Sequence, residues 1–338
     1  MFRSMIIAVL VAVCLGWAGE HPAVAQSKKF VIAAPGIPPV FASAILYVAD
    51  KEGFFKKYGA DVEVRPFETG ATASRAVISG DIEMSLSPTA LLISQVSNTN
   101  APVVAVYGIV SSDFLLGSTD PSKTTCKDIP GQAVGIDAIG GARSIALRTM
   151  LSGGCEGMKL EDVQQTPVGS NVAPALIAGQ LKLGVVHLDD AATIEQQGKK
   201  VYTIVTEYKA NPNGHYLSFI VRQDKLKGDR DQYVRVMAAL IEAARFIRDP
   251  KNADRVAEDA APTGHSKDIS KATIKPLLDI GYWSVDSNGL DQTRIENMIG
   301  VVQRTGGIQP GKAPAAYDRL TDPSVFRDAL ALVDHGGK

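Results

Sequence analysis

Short apolar runs alternate with amphipathic stretches along most of the chain, the pattern that builds a mainly parallel sheet covered on both faces. Phe30–Ala34 is an unbroken apolar run and predicts a strand; Asp61–Phe67 alternates apolar and polar side chains, as a half-buried strand does. The spacing predicts helices over Ala42–Lys51, which ends at Gly53, and over Thr72–Ser79, which stops at Gly80. Ile82–Leu86 is the next strand. Ser87-Pro88 then opens a helix, with proline where its missing N–H costs nothing, and strand Val103–Ile109 follows. The pattern restarts with strands Asp113–Ser118, Ala133–Asp137, Val163–Pro167, Leu183–His187 and Val201–Val205, with helices Ala142–Leu151, Val172–Gln180 and Ala191–Gln197 between them. Asn211-Pro212-Asn213-Gly214 is a loop signal, and Tyr216–Arg222 reads as a strand. Beyond Asp229 the chain reads as helix: Gln232–Ile247, Asn252–Ala260, Ser270–Leu278, Leu290–Gln303 and Ser324–Val333.

Two such α/β units followed by a helical tail could be domains in series. The tail has too few strands for a third sheet, so it is expected to pack on the first. That gives a discontinuous lobe I, residues 28–114 plus 214–338, with lobe II, residues 115–213, inserted between. The chain then crosses between lobes twice, near Val110–Leu116 and Tyr208–Leu217, and two crossings make a hinge.

The first residues stand apart. Arg3, the apolar run Met5–Trp17 and the small residues Ala23-Val24-Ala25 have the layout of a secretory signal, residues 1–25, cleaved after Ala25 and leading to the periplasm. The apolar run is about 13 residues, short of the roughly 20 that span a bilayer. Cys14 follows Val13 and precedes the Ala-x-Ala site, which argues against a lipid anchor. The formal net charge of −1 argues against a nucleic-acid partner, which wants a concentrated basic surface. Cys126 precedes a strand and Cys155 follows the helix after it, so both fall at one edge of a βα unit. In an oxidising compartment this favours a disulfide, with two buried thiols as the alternative.

Motifs for the common enzyme chemistries are missing: there is no Gly-x-Ser-x-Gly, no His-Glu-x-x-His and no phosphate-binding Gly-x-x-x-x-Gly-Lys-Ser/Thr. His187, His215, His265 and His335 show no metal-ligand spacing, and no cofactor or metal is implied. What the sequence offers is small and polar turns at strand ends, where open α/β sheets bind ligands. Pro38 and Phe41 follow the first strand, Thr69 and Gly70 the second, Ser87 and Thr89 the third. Gly140, Gly141, Ala142, Arg143 and Ser144 follow strand Ala133–Asp137, and His187 and Asp189 close Leu183–His187. Gly140-Gly141 opening a helix suits an anion, through free N–H groups and the positive dipole end; an ordinary tight turn is the bland alternative. Arg143 can meet a carboxylate or sulfonate bidentately. Ser87 is also explained as a helix cap, and Asp189 or Asp190 can hold an ammonium or cap the next helix.

The order of these segments resembles a known family. Ala44–Gly53 followed by Phe54-Phe55-Lys56-Lys57-Tyr58-Gly59, then Thr69-Gly70 through Ser79-Gly80-Asp81-Ile82-Glu83, and later Leu176–Gln180 leading to Leu183–His187, are similar to the periplasmic binding proteins of nitrate, sulfonate, taurine and thiamine-precursor ABC importers. The family commonly ends its second-lobe strand in Trp-Pro; His187-Leu188-Asp189 stands here, which leaves the ligand class open. The resemblance implies a two-lobe, type II-like periplasmic binding fold and no enzyme activity. It further implies delivery of a guest to a membrane permease; the free N–H groups and Arg143 point to a small organic anion, of sulfonate or carboxylate type, captured by a monomer through hinge closure. A zwitterion or thiamine-related pyrimidine is the alternative ligand. A secreted enzyme using His187 and Asp189, or a binding protein feeding a sensory receptor, is the alternative role.

Overall fold

Among the residues that the computed structural model describes, 29–285 and 287–335, the strands pair into two five-stranded sheets. The expected signal segment and its cleavage site lie outside the described residues. The first sheet holds β1 (Phe30–Pro35), β2 (Val62–Phe67), β3 (Met84–Pro88) and β4 (Val103–Ile109). The second holds β5 (Leu115–Ser118), β6 (Ala133–Ile136), β7 (Gln164–Pro167), β8 (Leu183–Val186) and β9 (Tyr202–Thr206). The last strand, β10 (Leu217–Arg222), returns to the first sheet, so the orders are β2-β1-β3-β10-β4 and β7-β6-β8-β5-β9.

Each sheet is parallel except at one strand. β10 runs antiparallel to β3 and β4, and β5 runs antiparallel to β8 and β9. The reason lies in the crossings. The chain leaves β4 at the edge where parallel strands end and enters the second sheet at the matching edge, so β5 runs backwards. The passage from β9 to β10 does the same in the other direction.

Both faces of the first sheet are buried, which is why β1 reads as a continuous apolar run. Phe30 and Ile32 pack on one side with Leu86, Phe219 and the helix Arg230–Arg248. Val31 and Ala33 pack on the other with Val77, Ile93 and the helix Gln292–Arg304. The second sheet repeats this: Leu116, Val134 and Ile136 meet the helix Ala142–Gly154, while Leu115 and Val186 meet Val172, Leu176 and Ile194. Cys126 and Cys155 are joined in a disulfide, their Cα atoms 5.5 Å apart.

The boundary of the third strand differs with consequence. The third strand runs Met84–Pro88 rather than Ile82–Leu86, so Ser87 lies in the strand, paired with Ser218, and the next helix starts at Thr89 with Pro88 before it. The short helices Phe54–Lys57, Glu207–Ala210 and Tyr317–Leu320 were not expected; four residues are too few to show a period.

Candidate functional site

The ends of β1, β3, β6 and β8, the segments joining the sheets, and part of the C-terminal helical region meet in two adjoining places. The first is a cavity of about 350 Å3. Pro88 and Ala90 line it from the first lobe and Ala142 and Ile145 from the second; Ser112, Phe114, Glu207 and Tyr216 come from the crossings. Most of this wall is apolar. Its acid is the half-buried Glu207, whose Oε2 accepts a 2.5 Å hydrogen bond from Ser112 Oγ. Burial pushes the Glu207 carboxyl up to about 7, against the opposing bond from Ser112.

The second place is a polar cluster on the far side of Phe114. The His187 ring lies 4.0 Å from that of Phe114, and its Nδ1 is 3.1 Å from Asp113 Oδ1. Tyr282 donates its hydroxyl to the same Asp113 oxygen at 3.2 Å. His265 Nε2 is 2.8 Å from Asp189 Oδ2, and Arg143 Nη2 donates to Asp190 Oδ2 at 2.9 Å. Burial works against the charged form of both histidines, but Asp113 and Asp189 outweigh it, so both are held above the ordinary imidazole value. Asp189 is displaced downward: burial opposes this, and the bond from His265 with the charge of His187 prevails.

The turns arrive here for local reasons. Ile37–Pro38 is a cis peptide bond, and Pro38 packs on Gly264, where an added Cβ would lie 2.7 Å from Pro38 Cγ. With φ +84 as well, Gly264 permits both the turn and the close approach that set the neighbouring His265. Phe41 is buried with its ring 5.8 Å from His265 and 6.5 Å from Trp283.

Several residues expected to face a ligand are already engaged. The helix start at Gly140-Gly141 holds an anion of its own: Asp137 Oδ1 accepts from Ala138 N at 2.8 Å and Arg143 N at 3.2 Å. A Cβ on Gly141 would lie 2.6 Å from that oxygen. β6 stops at Ile136, one residue short of expectation, and this frees Asp137 to turn back. Arg143 is not a free cation, since it is paired with Asp190 and bonded to Val185 O. Ser144 is buried and donates to Gln165 Oε1 at 2.5 Å. Ser87 is a strand residue rather than a cap, and its hydroxyl meets Ser85 Oγ at 2.9 Å. Thr89 is wholly buried between His215 Nδ1, at 2.8 Å, and Ser218 Oγ, at 2.7 Å. Thr69 caps its helix by accepting from Thr72 N at 3.1 Å, and Gly70 lies against Pro88. Of the two adjacent aspartates, Asp190 takes the capping role, accepting from His187 N at 3.1 Å. Ala142 alone of the expected set lines the cavity.

Sequence reading missed Asp113, Glu207, His265 and Tyr282. The available signal was position: Asp113 and Glu207 are acids in or beside the two crossings, and His265 sits between two helices directly after a glycine.

A family model described as NMT1/THI5 like matches residues 40–253. Among solved structures, the chain is similar to one described as the periplasmic sulfonate-binding protein SsuA of Methylobacillus flagellatus, at 17% identity and a TM-score of 0.71, covering 92% of this chain and 96% of that one. The periplasmic nitrate-binding protein NrtA of Synechocystis gives 16% identity and a TM-score of 0.69, covering 91% and 90%. A ligand-binding component of an ABC-type import system from Staphylococcus aureus, with zinc bound, gives 14% identity and a TM-score of 0.67, covering 89% and 99%. At these identities the likeness shows a shared two-lobe fold. No curated protein matches the sequence.

Proposed function

Since the chain belongs to the NMT1/THI5-like family, we propose that it is the periplasmic solute-binding component of an ABC importer, holding a small organic molecule between its lobes for delivery to a membrane permease. The observation that carries the reading is the cavity of about 350 Å3, walled by both lobes and both crossings. A guest touching all four walls favours the closed form by its differential affinity for that form. The lobes in this proposal are residues 28–114 with 214–338, and residues 115–213, hinged at the two crossings. The binding proteins of similar fold act in the periplasm on sulfonate and nitrate, and no described helix is long and apolar enough to cross a membrane. A monomer that performs no chemistry on its guest fits this role.

For the guest, geometry favours an apolar or aromatic body whose head pairs with Glu207. A carboxyl titrating at about 7 can both donate and accept, which suits a nitrogen heterocycle of the aminopyrimidine kind. The sulfonate and nitrate binders of this fold favour an anion instead, and Arg294 in the cavity wall is the cation for such a guest. Calorimetry and thermal shift with alkanesulfonates, short carboxylates and aminopyrimidines separate the two. Specific binders raise the melting temperature, and Ala142→Trp, which fills the cavity, should abolish the effect while the circular dichroism is kept. Undiminished binding in that variant, or conversion of a binder to product, sinks the proposal.

A further inference from the structure

We propose that Asp113, His187 and Asp189 form a site for one divalent transition metal ion of the zinc class, with His265 positioning Asp189. One ligand atom from each of the three lies within 4.8 Å of the others. One imidazole and two carboxylates are donors that such an ion accepts, and three protein ligands leave a coordination position for water. Calcium takes six to eight oxygens, and magnesium keeps several waters in an octahedron, so neither suits a compact set that includes nitrogen.

Two further observations point to a cation. Asp189 is only 8% exposed; its Oδ2 is bonded to His265 Nε2, while its Oδ1 is buried without a hydrogen-bond partner among the described residues. An unpaired oxygen on a buried carboxylate is costly, and a metal ion relieves that cost. Each ligand also has a neighbour that fixes it, as metal sites require. Tyr282 donates to Asp113, the Phe114 ring lies 4.0 Å from that of His187, and His265 holds Asp189. None of these ligands lines the 350 Å3 cavity, so the site does not depend on the identity of the solute. The ligands span the first crossing and the end of β8, and His265 comes from the C-terminal region on the first lobe. A bound ion would therefore tie the crossing and the two lobes together.

The test uses the purified untagged chain, stripped with EDTA and titrated with Zn2+ alone by calorimetry, with metal content read by atomic emission. One equivalent should bind with micromolar or tighter affinity. His187→Ala and Asp189→Asn should each weaken it at least tenfold, whereas His335→Ala should not change it. His265→Ala should lose roughly ten- to a hundredfold, the usual effect of removing a positioning partner, and His265→Gln, which keeps a donor, should recover most of it. X-ray absorption at the zinc edge of the unmodified chain needs no variant and should show nitrogen and oxygen neighbours with a single imidazole. No binding by the stripped chain, equal affinity in His187→Ala and Asp189→Asn, or sulfur in the coordination shell overturns the assignment.

Discussion

At the scale of single residues, the buried His215 and the half-buried Glu207, both at the second crossing, are shifted in opposite senses. His215 is pushed down to about 4, chiefly by burial, against the bond to Gly289. Its Nε2–H donates to Gly289 O at 2.8 Å, so Nδ1 accepts from Thr89, and the neutral ring is the form that fits. A histidine with a depressed folded value gives stability that is full above its unfolded value near 6.5 and is lost as pH falls toward 4. Glu207, pushed up to about 7, has the reverse effect. The folded chain holds its proton between the unfolded value near 4.5 and 7, so stability declines as pH rises across that window. Either effect amounts to roughly 3 kcal/mol, at 1.36 kcal/mol per unit. Urea unfolding of His215→Asn and Glu207→Gln at several pH values reads each as a difference from the parent chain. The deficit of His215→Asn should shrink from pH 7 to pH 4. Glu207→Gln should gain in relative stability from pH 4.5 to pH 7. Flat differences over these ranges would remove the assigned burial effects.

Among the elements, the strands were the most legible and the helix starts the least. β4 lies between other layers on both faces and reads as Val103–Ile109 from composition alone. At the turn Gly140–Ser144 the sequence did not reveal a carboxylate supplied from within: counting Asp137 as the last strand residue hid its bonds to Ala138 N and Arg143 N. The polar cluster was illegible for another reason. Its pairs join residues 74, 76 and 169 positions apart, and a lone sequence carries no sign of such meetings. The disulfide was legible because both cysteines border one βα unit. It closes a separation of 29 residues, and by chain entropy such a loop stabilises the fold by about 2–4 kcal/mol. Replacing both cysteines by alanine should lower the unfolding free energy of the second lobe by about that amount, measured by urea titration. An unchanged midpoint would mean the bridge constrains little that the core does not already hold.

For the molecule as a whole, the two-lobe plan followed from the repeated α/β pattern, while the antiparallel strand in each sheet did not, because direction within a sheet depends on which edge the chain enters from. Contacts such as His265 with Asp189 reach from the C-terminal region to the second lobe. The placement of β10 between β3 and β4 also bears on how the chain is made. All strands of the second sheet precede it in sequence, so a ribosome that has released residues up to about 210 holds a finished second sheet. The first sheet is still divided at that point, with β4 lacking the neighbour that joins it to β3. Nascent chains stalled there should yield a protease-resistant fragment from the later-starting lobe, and protection of the opening segment should appear only once Leu217–Arg222 has left the exit tunnel.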